Sequence, residues 1–112
     1  MNLRFVIFAI ALIYGTNALS AQWIELHLGQ IEILAETDSH REGVYFAKPT
    51  SYASQFSCSK DRYVVIRESK LADRAMSLAL YAKSSNLSLK AYVVGCDSKC
   101  YLDGRSVMLL DN

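Results

Sequence analysis

The chain has 112 residues, 52% of them hydrophobic and 21% charged, with a formal net charge of +1. That length suits one small domain, near the lower limit of what a single core stabilises unaided. The near-neutral balance lacks the basic surface that a phosphate backbone demands and argues against a nucleic-acid partner, while a single proline and no disorder-type composition argue against linkers or tails.

Met1 to Arg4 forms a short basic start, Phe5 to Tyr14 is unbroken apolar sequence, and Thr16 to Ala21 supplies small residues. This is the pattern of an export signal, with cleavage after Ser20 and Ala18 at the −3 position. The apolar run is too short for the ~20 helical residues that span a bilayer. Residues 21–112 are then expected as a single exported domain, secreted or periplasmic, with no membrane contact after cleavage. Arg4 leaves with the signal, so 11 basic and 11 acidic residues remain.

Trp23 to Glu36 reads as one long strand with a defect. Ile24, Leu26 and Leu28 are apolar at even positions, whereas Ile31, Ile33 and Ala35 are apolar at odd ones. A strand alternates faces with period two, so this change of parity needs an extra residue or a bend. Gly29 lies between the two sets and tolerates either. Trp23, at the head of the strand, is assigned a structural role beside Gly29.

Thr37 to Gly43 is polar and reads as a hairpin loop. Val44 to Ala47 is a short second strand, and Lys48 to Asp61 a longer connection around Pro49. Tyr63 to Arg67, rich in β-branched residues, is a third strand. Ser69 is the expected helix N-cap, followed by Leu71, Ala75, Leu78 and Ala82 at helical spacing, with Asn86 as a left-handed stop. Ser88 to Gly95 is a fourth strand with Leu89, Ala91 and Val93 on one face. Cys96 to Gly104 is expected as a turn and Arg105 to Leu110 as the fifth strand.

The expected class is therefore mainly β with one helix, in the order β-β-β-α-β-β. A long, bent first strand and a helix between strands three and four correspond to a five-stranded OB-fold barrel, the helix closing one end.

Glu25-Leu26-His27-Leu28-Gly29-Gln30-Ile31 resembles the first-strand motif in B subunits of the pertussis-like toxins, including those of typhoid toxin and subtilase cytotoxin; Val44-Tyr45-Phe46 is similar to their second strand. Ser77 to Lys83 and Ala91 to Cys96 resemble a pattern in small exported bacterial OB-fold proteins of unassigned role: a leading Trp, a Gly-x-Ile first strand, a Leu-Ala-Leu helix and a strand ending in Gly-Cys. These likenesses imply the barrel and a bacterial source. The toxin glycan site is not implied, because its Tyr and Ser positions fall on Asn17 and Leu19, inside the signal.

Cys58, Cys96 and Cys100 follow the signal, and an oxidising compartment favours a disulfide that leaves one thiol over. In an OB order the end of strand four lies near the start of strand three, which favours Cys58–Cys96 and closes the longer loop. Cys96–Cys100 is the alternative, and it matches the closely spaced pair of the toxin subunits. Neither His27 nor His40 sits in a ligand cluster, so no metal is expected.

No nucleophile elbow, phosphate loop or paired carboxylate of known spacing is present, so no catalytic residue and no cofactor is expected. His27 alternates with the buried residues of the first strand and faces outward or under a loop. Tyr45, Tyr52, Tyr63, Tyr92 and Tyr101 gather around the expected sheet, and a ring with an apolar face and a polar tip suits partner contact. Tyr45, Tyr92, Tyr101 and His27 are the binding candidates. The expected function is an exported non-enzymatic binding module for a partner protein or glycan, with a possible homo-oligomer. The alternatives are a ring-forming toxin B-type subunit that binds host glycans and a small periplasmic enzyme or inhibitor.

Overall fold

The computed structural model describes residues 20–110. The expected export signal falls, apart from Ser20, on residues outside the described ones.

The described chain forms one six-stranded sheet and one helix. The strands are β1 (Gln22–Leu26), β2 (Glu32–Glu36), β3 (Gly43–Ala47), β4 (Lys60–Ile66), β5 (Ser88–Cys96) and β6 (Tyr101–Leu110), with α1 (Ser69–Ser84) between β4 and β5. Their order in the sheet is β1-β5-β6-β4-β3-β2. All neighbours pair antiparallel except β4 and β6, which run parallel.

Six strands replace the expected five because the opening segment is interrupted. Leu28 to Gln30 form a 3-10 turn, in which the Gln30 N–H donates to the His27 carbonyl at 3.0 Å. The turn ends the β1 ladder and shifts the buried parity from Leu26 and Leu28 to Ile31. Beyond it Ile33 is only half-buried and Ala35 is exposed, so the second half of the segment is more open than the alternation implies. β1 and β2 are thus consecutive in sequence yet lie at opposite ends of the sheet order.

The core lies on one face of the sheet. Ile24 and Leu26 of β1, Val44 and Phe46 of β3, Val64 and Ile66 of β4, Leu89, Ala91 and Val93 of β5, and Leu102 of β6 pack together there. Tyr52 and Phe56 fold in from the β3–β4 connection, and the Tyr52 hydroxyl donates to the Phe46 carbonyl at 2.9 Å. Burial pushes that phenol well above its ordinary range.

α1 packs against β3, β4, β5 and β6 and the 3-10 turn. Its fully or nearly buried positions are Ala72, Ala75, Ala79 and Ala82, while Leu71, Met76 and Leu78 flank them half-buried. Small side chains at the contact let the helix seat close to the sheet. The N-cap is Glu68, one residue before the expected Ser69. Its carboxylate accepts the N–H groups of Lys70 and Leu71 at 3.2 and 2.6 Å. A longer acidic side chain reaches the same orphan donors as a hydroxyl and opposes the positive end of the helix. Those two N–H donors hold its carboxyl below the usual range. The helix ends as expected at Asn86, whose φ is 55°, with the Leu87 N–H donating to the Ala82 carbonyl at 2.8 Å.

The expected turn from Cys96 to Gly104 is mostly strand. Only Asp97 to Cys100 turn the chain, and β6 begins at Tyr101. Gly104 lies inside β6 opposite Ile66, where an added Cβ would sit 2.6 Å from Ile66 Cδ1 and 3.2 Å from the Val65 carbonyl oxygen. Its turn-like composition reflects a close strand approach.

Cys58 and Cys96 form a disulfide, with Cα atoms 5.4 Å apart, and Cys100 is a free, exposed thiol. Cys58 lies just before β4 and Cys96 ends β5. Both flank the start of β6, where Lys60 pairs with Tyr101 and Cys96 with Leu102.

Two measurements test this framework. A cross-link separated by 38 residues constrains the unfolded chain by about 4 kcal/mol in the loop-entropy model. Reduction with dithiothreitol, or the Cys58→Ala/Cys96→Ala pair, should lower urea-unfolding stability by about 2–4 kcal/mol. Gly43 has φ +146°, and a Cβ there would lie 2.7 Å from the Ile66 carbonyl oxygen, whereas a Cβ on Gly29 meets nothing within 4 Å. Gly43→Ala should cost about 2–3 kcal/mol and Gly29→Ala under about 0.5 kcal/mol in the same assay.

Candidate functional site

Strand alternation places a second set of side chains on the sheet face opposite the core. Tyr63, Val65 and Arg67 alternate with Val64 and Ile66 and so share that face, as Tyr45 does between Val44 and Phe46. The register sets Tyr45 beside Val65 and Val65 beside Asp103. Tyr45 is 3% exposed and Val65 fully buried, yet neither belongs to the main core. A cluster on the outer face covers them.

That cluster is aromatic and cationic. Tyr101 meets Tyr45 edge-on at 5.3 Å between ring centres and Tyr63 edge-on at 5.5 Å. The Arg67 guanidinium carbon lies 5.6 Å from the Tyr45 ring centre and 5.7 Å from that of Tyr101. Lys60 Nζ stands 4.7 Å over Tyr101. These are the distances of edge-to-face and cation–π contacts.

Arg67 joins the two loops above this face. Its Nε donates to Asp97 Oδ2 at 2.8 Å, and its Nη1 donates to the Glu42 carbonyl at 3.0 Å and to the Tyr45 hydroxyl oxygen at 3.1 Å. The Tyr45 hydroxyl in turn donates to the Arg41 carbonyl at 2.8 Å. Residues 37–42, between β2 and β3, are thereby tied to residues 97–100, between β5 and β6. Arg67 Nη2 is buried and has no hydrogen-bond partner among the described residues.

Asp97 holds the other side. Its Oδ1 accepts the N–H groups of Lys99 and Tyr101 at 2.9 and 3.0 Å, and its carboxylate is 8% exposed. Burial pushes this carboxyl upward, but the Tyr101 N–H, Arg67 and the Lys99 N–H outweigh burial and hold it below its ordinary value. For Arg67, burial opposes the charge, and the bonds to Asp97 and Tyr45 overcome it, so the guanidinium stays charged.

Two openings flank Arg67. One, of about 370 Å³, lies between the loops and is lined by Ser39, His40, Glu42, Arg67, Ser98 and Lys99. The other, of about 490 Å³, runs past Glu68, Cys96 and Asp97 to Asp103 and Arg105. Asp103 and Arg105 pair there through two hydrogen bonds of 3.1 and 2.9 Å. The arrangement offers a stacking edge, hydroxyls, an imidazole and paired charges around a shallow cleft, which suits recognition of a polar surface.

The expected binding residues do not all meet. Tyr45 and Tyr101 come together, with Tyr45 beneath and Tyr101 half-exposed. Tyr92 instead faces Trp23 across β1 and β5, with ring centres 5.1 Å apart and Lys90 Nζ 5.0 Å over the Trp23 ring. Trp23 is 41% exposed and packs on the outer face, not in the core. His27 is exposed, with Nδ1 3.2 Å from the Ser88 hydroxyl oxygen and Nε2 3.3 Å from the Glu25 carboxylate. Among the described residues no three His, Cys, Asp or Glu side chains are grouped to hold a metal, and no helix is long and apolar enough to cross a membrane.

Sequence reasoning missed Arg67 and Asp97. The period-two run Tyr63, Val65, Arg67 carried the signal for the first. For the second, the signal was a short acidic side chain starting a tight turn after Gly-Cys. No protein-family model, curated protein or solved structure matches the chain.

Removing the carboxylate isolates the contribution of the Asp97 bridge. Asp97→Asn should cost about 1–3 kcal/mol at pH 7, because Arg67 is then left partly buried without its counter-ion. Since the folded-state value of Asp97 is lowered, its stabilisation is full above the unfolded carboxylate range near pH ~4 and fades as pH falls through the folded value. Urea titrations from pH 7 to pH 2 should show the gap between wild type and variant closing only at the acid end.

Proposed function

We propose that this chain is an exported, non-enzymatic binding module built as a five-stranded OB-type barrel, and that it holds a protein or glycan partner on the outer face of β3 and β4. The sheet order supports the barrel. β1 and β2 occupy opposite ends of that order and are joined by the 3-10 turn, as the two halves of one bent strand. Counted as one, they give the strand sequence and the single parallel pair of an OB-fold. The Cys58–Cys96 disulfide supports export to an oxidising compartment.

One observation carries the functional reading: Tyr45, Tyr63, Tyr101 and Arg67 converge between residues 37–42 and residues 97–100. In an OB-type barrel this is the face of strands two and three, bounded by the first and last hairpin loops, where such domains hold oligosaccharides and oligonucleotides. The net charge of the chain favours a sugar or a protein over a nucleic acid. Two carboxylates at the face, Asp97 and Asp103, are engaged in structural pairs with Arg67 and Arg105, which supports a binding role over proton transfer. Ring assembly of the toxin B-subunit kind, which residues 25–31 resemble, is one outcome of the test below.

The protein recovered from an oxidising compartment should be screened on a glycan array and by cross-linking capture from the medium of its host. Tyr101→Ala should weaken whatever is bound by about tenfold or more, while Trp23→Ala leaves binding unchanged; because the Tyr101 ring covers Tyr45, binding is compared at a temperature where circular dichroism shows both variants folded. A ligand insensitive to Tyr101→Ala, or turnover of a bound ligand, would overturn the proposal. A pentamer by light scattering with glycan hits would replace it with the toxin-type reading.

A further inference from the structure

β2 is the least covered strand of the sheet. Its only strand partner among the described residues is β3, so its second edge presents unpaired backbone N–H and C=O groups. Its sequence is Glu32-Ile33-Leu34-Ala35-Glu36. Leu34 is 48% exposed on the outer face, and Ala35 is exposed on the other. Three consecutive apolar residues on an open edge are a template for a further strand. Beside this edge a cleft of about 120 Å³ separates β2 from the start of α1, and Ala35, Glu36, Glu42, Val44, Ala72 and Asp73 line it.

The charges around this edge select the occupant. The ion pairs among the described residues are Glu25–His27, Asp97–Arg67 and Asp103–Arg105. Glu32, Glu36 and Asp73 therefore make no ion pair among the described residues. Lys48 and Arg62 share the opening beside Glu32 without pairing with it, and Arg67, at the rim of the cleft, is already held by Asp97. Self-pairing is opposed by the same residues. Two copies of β2 aligned antiparallel about Leu34 would set Glu32 opposite Glu36, and an in-register parallel pair would set each glutamate against itself. Like charges directly opposite destabilise a strand pair.

We infer that the free edge of β2 accepts an extended segment of a partner protein in which basic residues alternate with apolar ones, adding a strand beside Leu34. Backbone hydrogen bonds hold such a segment, and the glutamates read its charge. This edge adjoins the tyrosine face proposed above, since Leu34 pairs with Tyr45 and Arg67 lines both clefts, but the contacts here are to the β2 backbone and are told apart by amide shifts at residues 32–36.

The probes are two capped peptides, Lys-Val-Lys-Val-Lys and Glu-Val-Glu-Val-Glu, titrated into ¹⁵N-labelled oxidised protein. The lysine peptide should shift the amides of residues 32–36 and bind about tenfold more tightly than the glutamate peptide. In Glu32→Lys/Glu36→Lys protein the preference should reverse. N-methylation of alternate lysine-peptide amides along one edge should abolish binding without altering charge, a control that does not depend on how the variant folds. Equal binding of the two peptides, shifts confined to other residues, or full binding by the N-methylated peptide would overturn the inference. So would a dimer in sedimentation whose formation masks residues 32–36.

Discussion

The start of β6 is where the chain is pinned. Tyr101 receives Lys60 of β4 on one side, while Cys96 of β5 pairs with Leu102 on the other. The turn between β5 and β6 is closed by the Asp97 carboxylate, which takes two N–H groups at its own turn and the Arg67 guanidinium from the end of β4. Directly alongside, the disulfide fastens the β3–β4 connection to the end of β5. Covalent, electrostatic and ladder contacts thus coincide within a few residues. A parallel strand pair gains nothing from a tight connecting turn, and β4 meets β6 only after the whole of α1 and β5 has intervened. The pin supplies the local restraint that this non-local pairing lacks.

The same pin shapes the candidate site. Arg67 is positioned by strand parity, paired with Asp97, and set beside the rings of Tyr45 and Tyr101. A half-buried ion pair of this kind adds little net stability against an apolar replacement, since both ions lose hydration. Its effect is positional: two loops far apart in sequence are set at a fixed spacing across the cleft. Tyr45 serves the same end from below, its hydroxyl accepting from Arg67 and donating to the Arg41 carbonyl. For the binding role proposed above, a polar rim held around a half-exposed Tyr101 would lower the ordering cost that weakens most flexible contacts.

Period-two alternation in Ile24 to Leu28 and Leu89 to Val93, and the β-branched run from Tyr63 to Arg67, made the strands legible, and the shift of parity after Leu28 located the interruption. What the pattern could not tell was whether the segment bends continuously or breaks into a 3-10 turn, because both satisfy the same alternation. The start of β6 was illegible for a different reason. Cys100, Asp103 and Gly104 all read as turn residues, yet Gly104 is selected for a close parallel neighbour and Asp103 for its pairing with Arg105. Helix position was clear from spacing; of the expected stripe Ala75 and Ala82 are buried, while Leu71 and Leu78 are only half-buried and the flanking Ala72 and Ala79 complete the contact face. The disulfide followed from strand adjacency. The grouping of Tyr45 with Tyr101, and the separation of Tyr92 with Trp23, depended on register across non-consecutive strands, which no local pattern encodes.

The alanine face of α1 restricts how this domain can diversify. With Ala72, Ala75, Ala79 and Ala82 against the sheet, the centre of the gap between the two layers is set by backbone and methyl groups, with Leu71, Met76 and Leu78 at its margins. Any larger residue at those four sites would have to lift the whole helix, a rigid displacement that close-packed interiors resist. Substitutions on the opposite side of α1, at exposed Leu80 and Tyr81, meet no such barrier. The two sides of this helix therefore differ in tolerance: its outward side can change chemistry freely while its inward side keeps a constant thickness as a spacer.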